Sequence, residues 1–247
     1  EIASCLVGSE MCIRDRFLAW IVEAKKEFII IGNINCVTYK EVFPLIQNNS
    51  VWMGCTIHSG DREFEVPEGY PLKAAGWRID ENGKKYIRVK GVRWYTNIDH
   101  GRRHHPLELM TMADNIKYSK HKEVKGKQYS VYDNFEAIEV PYTDAVPKDY
   151  DDIMGVPITF LDKYYPEQFE IVGITKTWFG MATKVFPKQI QVSKTGKKSV
   201  VTKLNDGAAI EVDGPIEGDV YYIVDGKYYT QAYARILIRK KVSPNTH

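Results

Sequence analysis

The sequence contains no apolar run long enough to cross a lipid bilayer. Its longest apolar stretches cover only a few residues, whereas a membrane-spanning helix needs about 20. Cysteine is scarce: Cys5 and Cys12 fall in an atypical leader, and Cys36 and Cys55 stand far apart without paired spacing. Such spacing argues against a disulfide framework and against a zinc site. These absences predict a cytoplasmic protein with reduced thiols, no membrane segment and no metal.

An excess of charge of one sign is also missing. The 34 lysines and arginines nearly balance the 32 aspartates and glutamates, which leaves a net charge of +2. Binding to nucleic acid therefore has to depend on local clusters of charge. His100, His104 and His105 form one cluster, but no cysteine or carboxylate stands beside them at metal-like spacing. We interpret this cluster as an exposed basic loop.

The two ends of the chain differ in character from the rest. Ser4–Arg16 resembles the translated read-through of a sequencing adapter, and Val242–His247 looks similar. A signal peptide is the alternative, but Glu10 and Asp15 interrupt the apolar run that it would need. We therefore predict a non-native leader over residues 1–16 and a non-native tail over 242–247. About 225 residues remain, enough for one large or two small domains.

The first part of the remaining sequence alternates between helix and strand patterns. Apolar residues in Phe17–Lys26 recur every three or four positions, which predicts an amphipathic helix. Phe28–Ile31 has no polar alternation, so we expect a central parallel strand. Capping-box spacing predicts a second helix from Tyr39, with Pro44 inside it, and Val51–Ile57 is the next strand. The pattern predicts a mostly parallel sheet with helices on its faces.

The pattern changes at Trp77. Trp77–Asp80 and Lys85–Val89 flank Asn82-Gly83, a dipeptide typical of tight hairpin turns. Lys90–Ile98 follows as a further strand, so an antiparallel extension joins the sheet. The rest of the chain reads as short strands and hairpins, with turns at Lys194–Lys197 and Asp225-Gly226.

A basic segment interrupts the strand-rich part of the sequence. His100–Lys127 has seven lysines and arginines against three carboxylates, whereas Tyr132–Asp152 is acidic. We interpret the two segments as a surface excursion with a linker near Pro141–Pro147.

Several ordered strings resemble the EcoRI-type adenine-specific DNA methyltransferase family. They are Phe28–Asn33, Thr56–Phe64, Lys90–Trp94, Met154–Tyr164 and Gln168–Gly173, and the similarity runs from about Phe17 to Lys241. The resemblance implies transfer of a methyl group from S-adenosylmethionine to the exocyclic amine of adenine in double-stranded DNA. It also implies an α/β fold. Residues 17–100 would be the C-terminal part of a Rossmann-like methyltransferase domain, and 101–241 would be a β-rich α+β target-recognition region.

Two elements that the family uses are missing from this sequence. One is a glycine loop that holds the cofactor after the first strand, and the other is an Asn/Asp-Pro-Pro-Tyr/Phe turn that holds the flipped adenine. All eleven prolines are isolated, and no such glycine loop follows a strand. Both elements would precede Phe17 in a complete family member. We therefore expect an N-terminally truncated methyltransferase that is inactive by itself; a cognate restriction endonuclease would share its site without binding to it.

Five residues are candidates for lining the active cleft. Asn33 ends a predicted parallel strand, at the edge where open α/β sheets bind ligands, although it could simply cap the strand. The others follow the next strand, in a loop that could hold the flipped base or its phosphate, or form an Asx-type turn with an ion pair. These are His58, Ser59, Asp61 and Arg62.

Eight residues are candidates for contact with DNA. On the hairpin and its neighbouring strand, arginine can fork onto guanine or phosphate and indole can stack on a base, but alternating charges are also typical of a solvated sheet face. These residues are Arg78, Arg88, Arg93 and Trp94. In the basic segment, side chains can contact phosphates or form a solvated loop. Those residues are Arg102, Arg103, Lys117 and Lys120.

Two other functions are compatible with the residues. The chain could be a non-enzymatic DNA-binding module, in which the β-rich tail and the basic segment act alone. It could also be an unrelated Rossmann-type enzyme for a small molecule. The family resemblance and the hairpin argue against the second of these, but the missing motifs leave the first open.

Overall fold

The computed structural model describes residues 11–56, 61–71 and 76–241, with side chains from Phe17 onward. The chain forms two compact units, one ending at Arg102 and the other beginning at Arg103. Among the described helices, the longest has 13 residues, and none is long and apolar enough to span a membrane.

The described residues of the first unit form two α-helices and six strands. They are α1 (Met11–Glu23), β1 (Ile29–Asn33), α2 (Phe43–Gln47), β2 (Trp52–Met53), β3 (Arg62–Val66), β4 (Trp77–Ile79), β5 (Lys85–Val89) and β6 (Val92–Thr96). Two 3-10 helices, Ile34–Thr38 and Gly101–His104, complete it, and the second contains the boundary between the units. Helix α1 thus begins within the predicted leader and ends at Glu23.

The first sheet has the order β1-β6-β2, and β6 is antiparallel to both of its neighbours. The prediction of a central parallel strand at Phe28–Ile31 was therefore wrong: β1 is an edge strand, and Ile29 is 61% exposed. Strand β2 does not pair with β1 because β6, from much later in the chain, lies between them. Hydrophobic periodicity reports which residues are apolar and not which strand pairs with which.

The helix predicted from Tyr39 starts later than expected. The Thr38 hydroxyl does not cap a helix but donates to the carbonyl of Asn35 at 2.9 Å, at the end of the 3-10 helix. Helix α2 begins at Phe43, with Pro44 in its first turn, where the missing N–H has no helical partner to lose. The strand predicted over Val51–Ile57 is only the two residues of β2.

The predicted hairpin is confirmed. Strands β4 and β5 pair antiparallel, and β3 adds to the other side of β5. The turn is closed by Asp80, whose carboxylate accepts from the backbone N–H groups of Asn82 and Lys84, each at 2.9 Å. Gly83 has a φ of +79°, a conformation that glycine adopts without strain.

The second unit is mostly β, as predicted. Its elements are α3 (Met112–Tyr118), β7 (Ile138–Glu139), β8 (Met154–Pro157), β9 (Phe169–Ile174), β10 (Gln189–Val192), β11 (Lys198–Val201), β12 (Ala208–Val212), β13 (Tyr221–Val224), β14 (Lys227–Ala232) and β15 (Arg235–Lys240). Short 3-10 helices cover Thr143–Ala145, Ile158–Lys163, Thr177–Phe179 and Lys203–Asp206.

Two sheets organise this unit. One has the order β7-β8-β15-β9 and the other β11-β10-β13-β14-β12. In the described part of the chain, β7 and β8 are the one parallel pair of strands. One apolar cluster includes Tyr132, Phe135, Ala208 and Leu237, and so joins residues from both sheets. The predicted hairpin turns at Lys194–Lys197 and Asp225-Gly226 are confirmed.

A buried ion pair joins β7 to β15. The guanidinium of Arg235 donates to both carboxylate oxygens of Glu139 at 2.7 to 3.1 Å, and the Tyr132 hydroxyl donates to the same carboxylate. Burial and the negative charge of Glu139 raise the pKa of Tyr132 well above its ordinary value. A buried carboxylate needs such partners because leaving it uncompensated costs several kcal/mol.

Candidate nucleic-acid interface

The hairpin of the first unit has one charged face. Its strands alternate, so that Glu63 lies opposite Arg88 while Tyr86 lies between Glu65 and Arg78. The other face carries Phe64, Val66 and Ile87 toward the core, together with the half-exposed Trp77 and Ile79. The sequence prediction of a solvated charged face therefore fits the hairpin geometry.

Arg78 is engaged within that face. Its guanidinium forms a fork with the Glu63 carboxylate at 2.9 to 3.2 Å and lies 4.3 Å from the centre of the Tyr86 ring. The hydrogen bonds from Arg78 hold the pKa of Glu63 below its ordinary value. Both groups are about half-exposed, so the pair is screened by water and contributes little to stability.

Arg88 is the least engaged arginine of the hairpin. Its Nε lies 3.5 Å from the Asp61 carboxylate, and its side chain is 58% exposed. Arg62, next to Asp61, donates to the Asp61 carbonyl at 3.0 Å. His58 and Ser59, the other two candidates in this loop, lie outside the described residues.

Arg93 and Trp94 lie on β6, the middle strand of the first sheet. Arg93 is only 4% exposed and donates to the carbonyl of Val92. Trp94 is half-buried opposite Ile31, and its backbone carbonyl accepts from Gly54. Arg93 is therefore buried and does not lie on the solvated face that the alternating charges indicated.

Asn33 forms hydrogen bonds of the capping kind. Its Oδ1 accepts from the N–H of Asn35 at 2.9 Å, and its Nδ2 donates to the carbonyl of Lys90 at 2.9 Å. The Tyr95 hydroxyl donates to its backbone carbonyl at 2.8 Å. The side chain therefore joins the end of β1 to the start of the 3-10 helix and to the segment before β6.

Arg102 and Arg103 occupy the same short 3-10 helix but belong to different units. Within the first unit, Nη1 of Arg102 lies 3.5 Å from the carbonyl oxygen of Cys55. Within the second, the charge of Arg103 opposes a rise in the pKa of Tyr164 that burial brings to about 12. Both arginines are partly exposed.

Lys117 and Lys120 lie at the end of α3, which Thr111 caps by accepting from the N–H of Asp114. Lys117 is exposed over the Tyr118 ring, whereas Lys120 pairs with Asp144 at 2.8 Å. The Nε2 of His121 also lies 2.8 Å from Asp144.

Burial alone would raise the pKa of the Asp144 carboxyl. The hydrogen bonds from Lys120 and His121 outweigh this effect and keep the pKa below its ordinary value. The charge of Lys120 is thus already balanced, while Lys117 has no carboxylate partner within the described ranges.

No group of three or more histidine, cysteine or carboxylate side chains suited to a metal ion occurs in the described part of the chain. Cys36 and Cys55 form no disulfide with each other. The lysines of residues 187–204 are not among the predicted DNA contacts, although the sequence shows their charge run.

Comparison with known proteins places these residues in a family. The family model described as "Adenine-specific methyltransferase EcoRI" matches residues 11–241. The Type II methyltransferase M.EcoRI of Escherichia coli is 42% identical over 160 residues, which cover 65% of this chain and 46% of that protein. M.MgeORF184P, a Type II methyltransferase of Mycoplasma genitalium, is 27% identical over 228 residues, or 91% of this chain and 60% of that protein.

A third relative, the Type II methyltransferase M.MpnI of Mycoplasma pneumoniae, is 29% identical over 159 residues, which cover 63% of this chain and 46% of that protein. The chain therefore spans about half the length of the curated relatives that it matches. No solved structure matches it.

Proposed function

The chain belongs to the adenine-specific methyltransferase EcoRI family, and we propose that it carries the DNA-contacting part of such an enzyme. The single observation that carries this proposal is the family match, which extends over residues 11–241 and so includes both compact units. The whole enzyme would transfer a methyl group from S-adenosylmethionine to the exocyclic amine of adenine in double-stranded DNA.

Methyl transfer to adenine needs groups that hold the flipped base and the cofactor. The target adenine must leave the base stack, and hydrogen-bond acceptors must accept from its amine. In the family, a Pro-Pro turn does this work and a glycine loop holds the cofactor, and the 247 residues contain no two adjacent prolines. The catalytic groups therefore lie, in this proposal, outside the present sequence.

The end of β1 does not fit a cofactor cradle either. A Cβ atom on Gly32 would lie 2.8 Å from the ring of Tyr95, so this glycine makes room for a tyrosine rather than for a ligand. The polar side-chain atoms of Asn33 are already bonded to backbone groups. We assign no catalytic step to the described residues.

The free edge of the first sheet is a surface on which the proposed cofactor-binding half could pack. Strands β1 and β2 point the same way on either side of β6, and the outer edge of β1 has no partner strand among the described residues. Phe17, Trp20 and Ile29 are 50%, 61% and 61% exposed. An exposed edge strand is a template for pairing with another strand.

On this basis residues 17–100 are the C-terminal part of a Rossmann-like methyltransferase domain, whose cofactor-binding half packs on this edge. Residues 101–241 are the target-recognition region. A DNA substrate fits a cytoplasmic protein, and a restriction endonuclease of the same specificity would share the DNA site without binding the methyltransferase.

A second candidate is a DNA-binding module without enzymatic activity. The observation that favours it is the absence of both catalytic motifs from the sequence. It differs from the first proposal in having no need of a cofactor-binding half.

The experiment that tests the proposal measures methyl transfer by the purified chain. We expect no incorporation of labelled methyl from S-adenosylmethionine into duplex DNA by the chain alone. Incorporation should appear when the gene is extended upstream to include both motifs and the longer protein is assayed. Incorporation by the 247-residue chain would overturn the placement of catalysis outside it, and an inactive extended protein would favour the binding module.

A further inference from the structure

We propose that the two-stranded ribbon formed by β10 and β11 contacts the phosphate backbone of double-stranded DNA. This inference rests on the proposed function, since it takes DNA as the ligand, and it adds an element that the sequence analysis did not single out. The ribbon belongs to the second unit, where β11 is the outermost strand of the five-stranded sheet.

The ribbon and the residues that flank it carry a concentrated positive charge. Residues 187–204 contain five lysines and no aspartate or glutamate, and all five side chains are exposed. One of the five pairs with Asp219 at 3.4 Å, and the other four form no ion pair with a carboxylate in the described ranges. The lysines are Lys188, Lys194, Lys197, Lys198 and Lys203.

The same sheet carries the opposite charge elsewhere. Residues 211–225 contain five carboxylates and no lysine or arginine. Two other lysines of this unit are already balanced, because Lys227 pairs with Glu211 at 2.8 Å and Lys184 with Asp133 at 2.6 Å. Asp219 of the acidic segment pairs with Lys194 at the turn of the ribbon. Because carboxylates repel a polyanion, its favoured approach is to β11, on the side of β10 away from β13.

The turn and the outer edge of the ribbon are the parts that can face a DNA duplex. Gln189–Val192 pairs in register with Lys198–Val201. The turn is closed by the backbone N–H of Ser193, which donates to the carbonyl of Lys197 at 2.9 Å, and by Gly196 at a φ of +79°. Strand β10 also pairs with β13, so the open parts of the ribbon are its turn and its outer strand β11, where lysines can reach the phosphates of a duplex. Each phosphate neutralised in this way releases counterions.

Edge lysines also have a purely structural role, since they discourage a sheet edge from pairing with another molecule. The two roles predict different results when charge is removed. If the lysines only protect the edge, their loss promotes self-association and leaves DNA binding unchanged. If they contact phosphates, their loss weakens binding and makes it less sensitive to salt.

The test compares two double variants of the full chain. Lys197→Gln with Lys198→Gln removes two unpaired charges from the ribbon. The control, Lys184→Gln with Lys227→Gln, removes one charge from the segment before β10 and one from β14, and both charges are already balanced by carboxylates. The dissociation constant for a fluorescent duplex is measured by anisotropy at several salt concentrations, and gel filtration reports self-association.

We expect the ribbon variant to bind more weakly and its log–log salt slope to fall by about 1.8, because each lost phosphate contact contributes about 0.9. The control variant should keep the wild-type slope. A third variant, Lys197→Arg with Lys198→Arg, keeps the charge and should keep the slope too. Matching circular dichroism melts show that each variant folds.

Two results would overturn the ribbon contact while leaving the DNA function in place. They are an unchanged slope in the ribbon variant when the wild type binds, and an equal loss of slope in the ribbon variant and the control. Failure of the wild type to bind duplex DNA at the lowest salt would instead remove the proposed function, and the ribbon contact with it.

Discussion

At the scale of single residues, the basic side chains differ in burial and in whether a carboxylate pairs with them. Arg78 forms a fork with Glu63, and Arg93 is buried in the first sheet. Arg88 is mostly exposed and only loosely paired with Asp61. A guanidinium that has no tight partner can turn toward a base without breaking an existing hydrogen bond, so Arg88 is the hairpin residue best placed to read sequence.

We predict different effects for Arg88 and Arg102. Arg88→Gln should cost about 1–3 kcal/mol at particular bases, whereas Arg102→Gln should weaken binding equally for all sequences, as loss of a phosphate contact does. Selection from a randomised duplex pool, followed by sequencing, measures both effects. Arg78→Gln is the matched control, and it should leave the selected motif unchanged. Identical motifs from wild type and Arg88→Gln would remove Arg88 from base reading.

A second prediction concerns Gly155 in β8. A Cβ atom there would lie 2.7 Å from a ring carbon of Tyr132. The ring cannot move freely, because its hydroxyl is bonded to the carboxylate that Arg235 holds. Gly155→Ala should therefore cost about 1–3 kcal/mol of the free energy of unfolding, as overpacking does.

Urea unfolding measures this cost. Gly214→Ala is the control, since nothing lies within 4 Å of its added Cβ and its φ is not in the left-handed region. The control should have an unfolding midpoint close to that of the wild type. Equal midpoints for Gly155→Ala and the wild type would show that Tyr132 is not held as described.

At the scale of elements, the hairpin turns could be predicted from the sequence, whereas the start of α2 and the long-range pairing of strands could not. The Asn82-Gly83 turn was predictable because two neighbouring residues encode its backbone conformation. The pairing of β1 with β6 was not, because the strand that lies between β1 and β2 comes from much later in the chain. The burial of Arg93 could not be read from alternating charges either, since Arg88, also on a middle strand, is mostly exposed.

The contacts of Asn33 with neighbouring segments indicate a capping role. Its two side-chain hydrogen bonds join three elements, which is the work of a cap, and loss of a cap costs about 0.5–2 kcal/mol. Asn33→Ala should lower the unfolding midpoint of the first unit in urea and leave the affinity for DNA unchanged. Asn35→Ala, two residues away, removes an exposed side chain and should have little effect. Weaker DNA binding by Asn33→Ala without loss of stability would favour the active-cleft role.

At the scale of the whole molecule, a net charge of +2 hides an uneven distribution. Carboxylates balance Arg78 and Lys120, while residues 187–204 leave most of their lysines unpaired. Affinity for a polyanion depends on such local charge and not on the total. A nearly neutral overall charge is therefore compatible with the proposed binding to DNA.

The central claim is that this chain carries the DNA-contacting part of an adenine methyltransferase. The most direct test is the salt dependence of duplex binding by the purified 247-residue chain. The account predicts a linear fall of log affinity with log salt, with a slope equal to several phosphate contacts at about 0.9 each. Undetectable binding at low salt, or an affinity that does not change with salt, would contradict it.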